Sequence, residues 1–242
     1  MNIISYAAYL ENIAKVRHSF QDIVVPLYVA DNKINGKFNC FGSGFIISRK
    51  GRQFIVTAAH VVKEIKKMNE PIQLLTIVNG TQLDISWGCF IINDVSDLAV
   101  MPINRVVDMR AINVDANEFS VEETGVAYGF PATINKLGRF NKSSIIMVIS
   151  TCMERQTGEE NYYHYDRKKM LNNLGEKKGN SPDLHGMSGG PLLNIHCNND
   201  LGVTFSLAGI ITRQEPQNKL LVVKKAEQLV HFLDRVFFDF ES

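Results

Sequence analysis

The chain is built from short β-forming runs separated by turn signals, and this spacing constrains its fold more than any other feature. Ile23 to Ala30 is rich in β-branched and aromatic residues, and the turn cluster after it, Asp31 to Gly36, contains Asn35-Gly36. Asn-Gly is the strongest short-range hairpin signal because both residues tolerate positive φ. Phe41 to Ser48 reads as the next strand, Arg49-Lys50-Gly51-Arg52 turns the chain, and Gln53 to Thr57 returns it. Further strands are expected at 72–78, 82–92, 98–103, 125–129, 143–152, 190–195, 203–212 and 219–223. Helical periodicity is confined to 2–17, 61–68 and 225–238. In the last of these, Leu229, Val230, Leu233, Val236 and Phe237 make an apolar stripe that should pack on the body. Evenly spaced short strands predict an all-β barrel or sandwich. Residues 154–185, polar, charged and rich in Asn and Gly, read as one long loop of functional or mobile character.

Composition narrows the function classes. The 242 residues suit one all-β domain. Lys and Arg number 26 against 25 Asp and Glu, a net charge of +1, which argues against nucleic acid or an anionic membrane surface as partner. No apolar run reaches the ~18 residues of a membrane span. The amino terminus lacks a basic start and meets Glu11 early, so no export and a cytoplasmic location are expected. Cys40, Cys89, Cys152 and Cys197 are widely spaced, without a Cys-x-x-Cys pair. They are read as buried apolar thiols rather than a zinc cage or a redox pair. No metal-ligand spacing is visible, and no cofactor is expected.

Three short pieces carry chemistry: Thr57-Ala58-Ala59-His60, Asp94-Val95-Ser96-Asp97-Leu98-Ala99-Val100, and Gly186-Met187-Ser188-Gly189-Gly190-Pro191-Leu192. A serine hydroxyl becomes a nucleophile only when a base takes its proton and a third group orients that base. It also needs donors where negative charge develops on the carbonyl oxygen. His60, Asp97 and Ser188 would supply the activation, and the backbone N–H groups of Gly186 and Ser188 the oxyanion hole. Taken singly, each piece has a plain alternative: a buried imidazole, a surface carboxylate, a tight glycine turn. Their order, with each at a strand end, is what makes the combination specific. Asp97 is preferred to Asp94 because it directly precedes Leu-Ala.

The chain resembles the chymotrypsin–trypsin family of serine proteases. The resemblance rests on TAAH at 57–60, SDLAV at 96–100 and GMSGGPLL at 186–193, with GSGFII at 42–47 and LAGIIT at 207–212 around them. It covers residues 23–238 and is nearest to stand-alone bacterial members without a PDZ module. It implies a double six-stranded β-barrel, 23–115 and 120–223, after an N-terminal helical extension at 1–20 and before a C-terminal helix at 225–238. It implies that Ser188 attacks the scissile carbonyl, that His60 shuttles the proton and that Asp97 orients the imidazole. It places Thr212 within hydrogen-bond reach of Asp97, and Thr212, Arg213 and Gln214 on an edge strand that pairs with substrate backbone.

Several departures shape the expectations. Met187 stands where zymogen-type members carry Asp, so activation by amino-terminal cleavage is not expected. Val61 replaces the cysteine that usually follows the histidine. Pro182 stands at the base of the specificity pocket, with Asp183 beside it as the residue that would favour a basic side chain. Gln214 replaces a common Gly in the pocket wall. The expected partners are a protein or peptide substrate and an activating protein, within a regulated stress or defence pathway. A silent or latent binding protein on the same fold is the competing reading; loss of a triad residue would mark it, and all three are present. An α/β-hydrolase esterase, suggested by G-x-S-x-G, is disfavoured because Pro191 and a strand follow the serine instead of a helix. Tyr162-Tyr163-His164-Tyr165 is read as partial packing or adaptable surface, and Lys63, Lys66 and Lys67 as a solvated helix face.

Overall fold

Two strand systems, antiparallel but for the parallel pairing of one short strand, follow one another along the chain, bridged at the end by a helix. The computed structural model describes residues 20, 23–30, 34, 37–67, 74–78, 81–85, 89–103, 110–115, 123–137, 146–166, 183–197 and 203–241. The expected helix at 2–17 and Pro182 lie outside the described residues. The elements are β1 (Val24–Ala30), β2 (Phe38–Arg49), β3 (Arg52–Ala58), α1 (Ala59–Lys67), β4 (Leu74–Val78), β5 (Thr81–Ile85), β6 (Ile91–Asn93), β7 (Leu98–Pro102) and β8 (Ile112–Asn113). They continue with β9 (Thr124–Gly129), β10 (Lys136–Leu137), β11 (Met147–Gln156), β12 (Glu160–His164), β13 (Pro191–Cys197), β14 (Val203–Glu215), β15 (Leu220–Lys225) and α2 (Ala226–Glu241).

The first system is a nine-stranded sheet in the order β5-β4-β1-β2-β3-β7-β6, with β8 and β10 also paired to β2. The second is a closed barrel, β11-β12-β15-β14-β13-β9. The all-β, trypsin-like architecture is as expected, with closure by strand pairing seen in the second half. β10 comes from the segment assigned to the second barrel, yet it pairs with β2 of the first sheet. The hairpin between β2 and β3 turns on Lys50 (φ 49°) and Gly51 (φ 73°), flanked by the pair Arg49↔Arg52. Two consecutive residues at positive φ match the right-handed strand twist.

The segment 154–185 is not one loop. Its first part completes β11 and forms β12, joined by a short turn in which Thr157 N–H donates to Glu160 O at 2.8 Å. The reason is a period of two hidden in polar sequence. Tyr163 is fully buried in the barrel core with Ile149, Met187, Leu192, Ile211 and Leu221, while Glu160 and His164 point outward. Tyr165 is likewise buried in that core, so these aromatics are interior packing rather than adaptable surface. Similarly, the expected strand 82–92 is two separate strands, β5 and β6.

Helix α2 starts directly after β15 and crosses to the first system. Leu229, Leu233 and Phe237 join the core formed by Leu27, Phe45, Ile47, Val56 and Val100. Phe237 meets Phe54 edge-on at 5.5 Å, and Arg49 Nη2 holds both oxygens of Asp234 at 3.0 and 3.1 Å. The helix therefore ties the two strand systems together.

Candidate active site

Strand register brings the histidine and its carboxylate together. β3 pairs with β7 through Ala58↔Leu98, so Asp97, one residue before β7, lies beside the start of α1. The Asn93 carboxamide shapes the approach, accepting from the N–H groups of Val95 and Ser96 at 3.1 and 3.3 Å. Asp97 takes the left-handed conformation, φ 53°. Its main-chain oxygen accepts from Ala59 N–H at 3.0 Å, and Oδ1 from His60 N–H at 2.8 Å. These N–H groups open α1 and have no partner inside the helix, so Asp97 caps it. The other carboxylate oxygen, Oδ2, lies 2.8 Å from His60 Nδ1. A carboxylate can only accept, so this contact puts a proton on Nδ1, and in the neutral ring Nε2 then keeps its lone pair. Asp94 is engaged elsewhere, 2.6 Å from Lys63 Nζ on α1.

Ser188 sits in the turn that enters β13. The chain can pass there only with glycine on either side. Gly189 has φ +87°, and a Cβ on it would lie 2.1 Å from Ser43 O and 2.2 Å from Thr57 Oγ1. Gly186 has φ +95°, with Ala132 N and Phe130 O both 2.7 Å from where its Cβ would stand. Gly189 N–H donates to Ile211 O at 2.7 Å, Met187 N–H to Leu184 O at 2.8 Å, and Gly190 N–H to Met187 O at 3.0 Å. The N–H groups of Gly186 and Ser188 donate to no partner among the described residues. They are the pair assigned to an oxyanion. The Ser188 hydroxyl donates to the Thr212 carbonyl at 3.0 Å, and no hydrogen bond joins it to the His60 ring among the described residues.

Thr212, Arg213 and Gln214 lie on the outer stretch of β14. β13 stops pairing with this strand at Pro191↔Ile210, whereas β15 follows it to Leu220↔Glu215. One edge of residues 212–215 is therefore unpaired among the described residues, next to Ser188. The expected hydrogen bond from Thr212 to Asp97 is absent; Thr212 Oγ1 is buried and donates to Val222 O at 3.3 Å, because the bulge between Ile211 and Arg213 turns it into the barrel wall. The Arg213 guanidinium grips Glu160 at 2.9 and 3.2 Å, two strands away on the outer face. This pairing, with Tyr162 and Lys224 alongside, holds the Glu160 carboxyl down at about 2 despite its burial. The Arg213 charge is thus committed to Glu160. Asp183 is exposed, and its Oδ1 accepts from His185 N–H at 3.1 Å.

A family model described as a trypsin-like peptidase domain matches residues 42–203. The chain belongs to that family. No curated protein matches it in sequence. Among solved structures it is similar to the serine endoprotease from Yersinia pestis, with a TM-score of 0.55 at 20% identity over 92% of this chain. The chain spans 66% of the length of that endoprotease. It is also similar to the MamO protease domain from Magnetospirillum magneticum in its apo form, with a TM-score of 0.54 at 15% identity, covering 89% of this chain and 98% of that one. Both likenesses are likenesses of fold.

Within the trypsin-like frame, Met187 has no exposed surface and packs in the second core with Tyr163 and Leu184. The cysteines differ from the expectation of buried thiols. Cys40 is buried, but Cys89 and Cys152 are exposed, and all three are free. Both exposed ones lie where the local pattern turns outward, Cys152 on a β11 position between the buried Thr151 and half-buried Met153. No helix among the described residues is long and apolar enough to cross a membrane. Sequence reasoning passed over Ser43, whose hydroxyl partner Gly186 lies 143 positions away; only the small residues around it, Gly-Ser-Gly within a strand, hint at close approach.

Proposed function

We propose that this trypsin-like peptidase is a serine endopeptidase that cleaves protein substrates through an acyl-enzyme. The observation that carries the reading is the Asp97 carboxylate holding both the His60 backbone and His60 Nδ1 at 2.8 Å, with unclaimed N–H groups beside Ser188. In this reading an extended substrate segment adds to the free edge of Thr212 to Glu215. Its N–H competes for the Thr212 carbonyl, and the Ser188 hydroxyl turns to His60. Nε2 takes the proton as Oγ bonds to the scissile carbonyl carbon. The resulting oxyanion is held by Gly186 and Ser188 N–H. Collapse breaks the C–N bond, and His60 gives its proton to the leaving amine. Water then repeats the sequence, releasing the acid and restoring the hydroxyl.

The free thiols of Cys40, Cys89 and Cys152 support a reducing, cytoplasmic setting. The present seat of the Ser188 proton supports a resting state that substrate or an activating partner completes. Digestion of a denatured protein and a peptide library tests the reading. Cleavage by the wild type that Ser188→Ala abolishes supports it. Binding to protein ligands without cleavage would favour the silent-fold alternative.

A further inference from the structure

Ser43 lies within β2, is fully buried, and commits its polar atoms to groups outside its own strand. Its main chain is available because of its neighbours. β3 pairs with β2 only as far as Phe45↔Val56, and the Ser43 N–H and C=O point to that side, away from Pro26 of β1. Ser43 N–H donates instead to Ser188 O at 2.8 Å, and Ser43 O accepts from Thr57 Oγ1 at 2.7 Å. Its hydroxyl donates to Gly186 O at 2.7 Å and accepts from Phe130 N–H at 2.8 Å. One residue of the first sheet therefore grips both ends of the 186–188 segment, the strand that leads to His60, and the exit of β9.

We propose that Ser43 is a positioning residue: it holds the Gly186–Ser188 segment in the conformation that presents the Gly186 and Ser188 N–H groups to a developing oxyanion. The inference rests on the peptidase reading. Peptide planarity carries it. In a trans peptide the C=O and N–H point in opposite directions. His185 O accepts from Ala132 N–H at 2.7 Å, so Gly186 N–H points away from Ala132. Gly186 O is fixed by Ser43, so Met187 N–H points away from Ser43, to Leu184 O at 2.8 Å. Both peptides flanking Gly186 are thereby anchored through their carbonyls. A glycine populates either sign of φ with little bias. Without the Ser43 hydroxyl the 186–187 peptide keeps only the Met187 N–H bond to Leu184 O, and the link that fixes the Gly186 and Ser188 N–H groups relative to each other is loosened.

The test compares Ser43→Ala with Thr151→Ala. Thr151 is a buried hydroxyl in the second barrel that donates to His164 O, makes no hydrogen bond to the Ser188 turn among the described residues, and serves as the matched structural loss. Three readouts are taken: the rate of covalent labelling by a fluorophosphonate, the KM for a cleaved peptide, and amide hydrogen exchange over residues 183–190. Ser43→Ala should label roughly 10- to 100-fold more slowly, of the order seen when an oxyanion donor is lost, with KM little changed. Exchange over 183–190 should rise in Ser43→Ala alone. Labelling at the Thr151→Ala rate, or unchanged exchange in that segment, overturns the proposal. Should Ser43→Ala not fold, Ser43→Cys keeps a weaker donor: an intermediate rate supports the clamp and a wild-type rate overturns it. A wild type that takes no label would sink the peptidase reading, while the exchange comparison still decides the clamp.

Discussion

Asp97→Asn changes one atom at the centre of the site, and its consequence follows from the geometry. The carboxylate accepts two donors, the backbone N–H and Nδ1 of His60, each at 2.8 Å. Asparagine offers one oxygen and one NH2 in the same outline. With its oxygen on the His60 N–H, the NH2 faces Nδ1, and the imidazole proton must move to Nε2. That atom then has no lone pair for the Ser188 proton. With the amide turned over, Nδ1–H is served, but two N–H groups oppose each other at the backbone contact. Such an unsatisfied donor costs about 1–3 kcal/mol, so the productive orientation is disfavoured by roughly 5- to 150-fold. The charge opposite the imidazolium is lost as well. Asp97 is 30% exposed, which tempers this second loss to about 1–2 kcal/mol. Together, about 2–5 kcal/mol, they predict a fall in kcat/KM of roughly 30- to 5,000-fold. Because the outline is preserved, the Tm should move by only a few degrees. The assay is peptide hydrolysis beside thermal unfolding of the same preparation. A kcat/KM within about fivefold of wild type would refute the assignment of Asp97 as the orienting group.

Other predictions follow from contacts away from the triad. Gly189→Ala would place a Cβ 2.1 Å from Ser43 O at φ +87°. Backbone strain and overpacking sum to about 2–5 kcal/mol, so the Tm should drop by roughly 4–20 °C with loss of activity; a near-native Tm contradicts the packing of this turn. Glu160 is held at about 2 in the folded chain against an ordinary 4.5, chiefly by Arg213. A lowered carboxylate stabilises above its unfolded value and loses that stabilisation as the pH falls. Glu160→Gln should therefore cost at most about 3 kcal/mol near neutrality, less for the half-exposed Arg213, and the gap to wild type should close between pH 4.5 and about 2. A gap that does not narrow in acid unfolding scans speaks against the ion pair. Burial pushes the Cys40 thiol up to about 12, so iodoacetamide at mild pH should alkylate Cys89 and Cys152 first and Cys40 only on unfolding; mass mapping that finds Cys40 alkylated as fast as Cys152 contradicts its burial.

The strand pattern was legible wherever alternation or apolar runs stood between turn signals, as in β1, β2, β3 and β7. It was obscured in Glu160 to Tyr165, where the inward tyrosines, Tyr163 and Tyr165, alternate with polar neighbours and the inward Asn161 is itself polar, so composition disguised a strand as a loop. The motifs around His60 and Asp97 marked residues that the fold brings together, because Ala58↔Leu98 is a register that short strands and tight turns permit in few ways. The sequence could not show where hydroxyls point. Thr212 reads as a partner for Asp97, but a one-residue bulge turns it to Val222. Ser43 reads as an ordinary strand residue, and its role depends on contacts across the whole chain. The outward Cys89 and Cys152 likewise depend on which face a local strand or turn presents, which composition does not encode.

Intact-mass labelling with a fluorophosphonate probe, followed by mapping of the adduct, tests the central claim most directly. The account predicts one adduct, on Ser188, absent from Ser188→Ala and suppressed in His60→Ala although both variants stay folded. A wild type that takes no adduct, an adduct elsewhere, or labelling of Ser188 that persists at full rate in His60→Ala would contradict it.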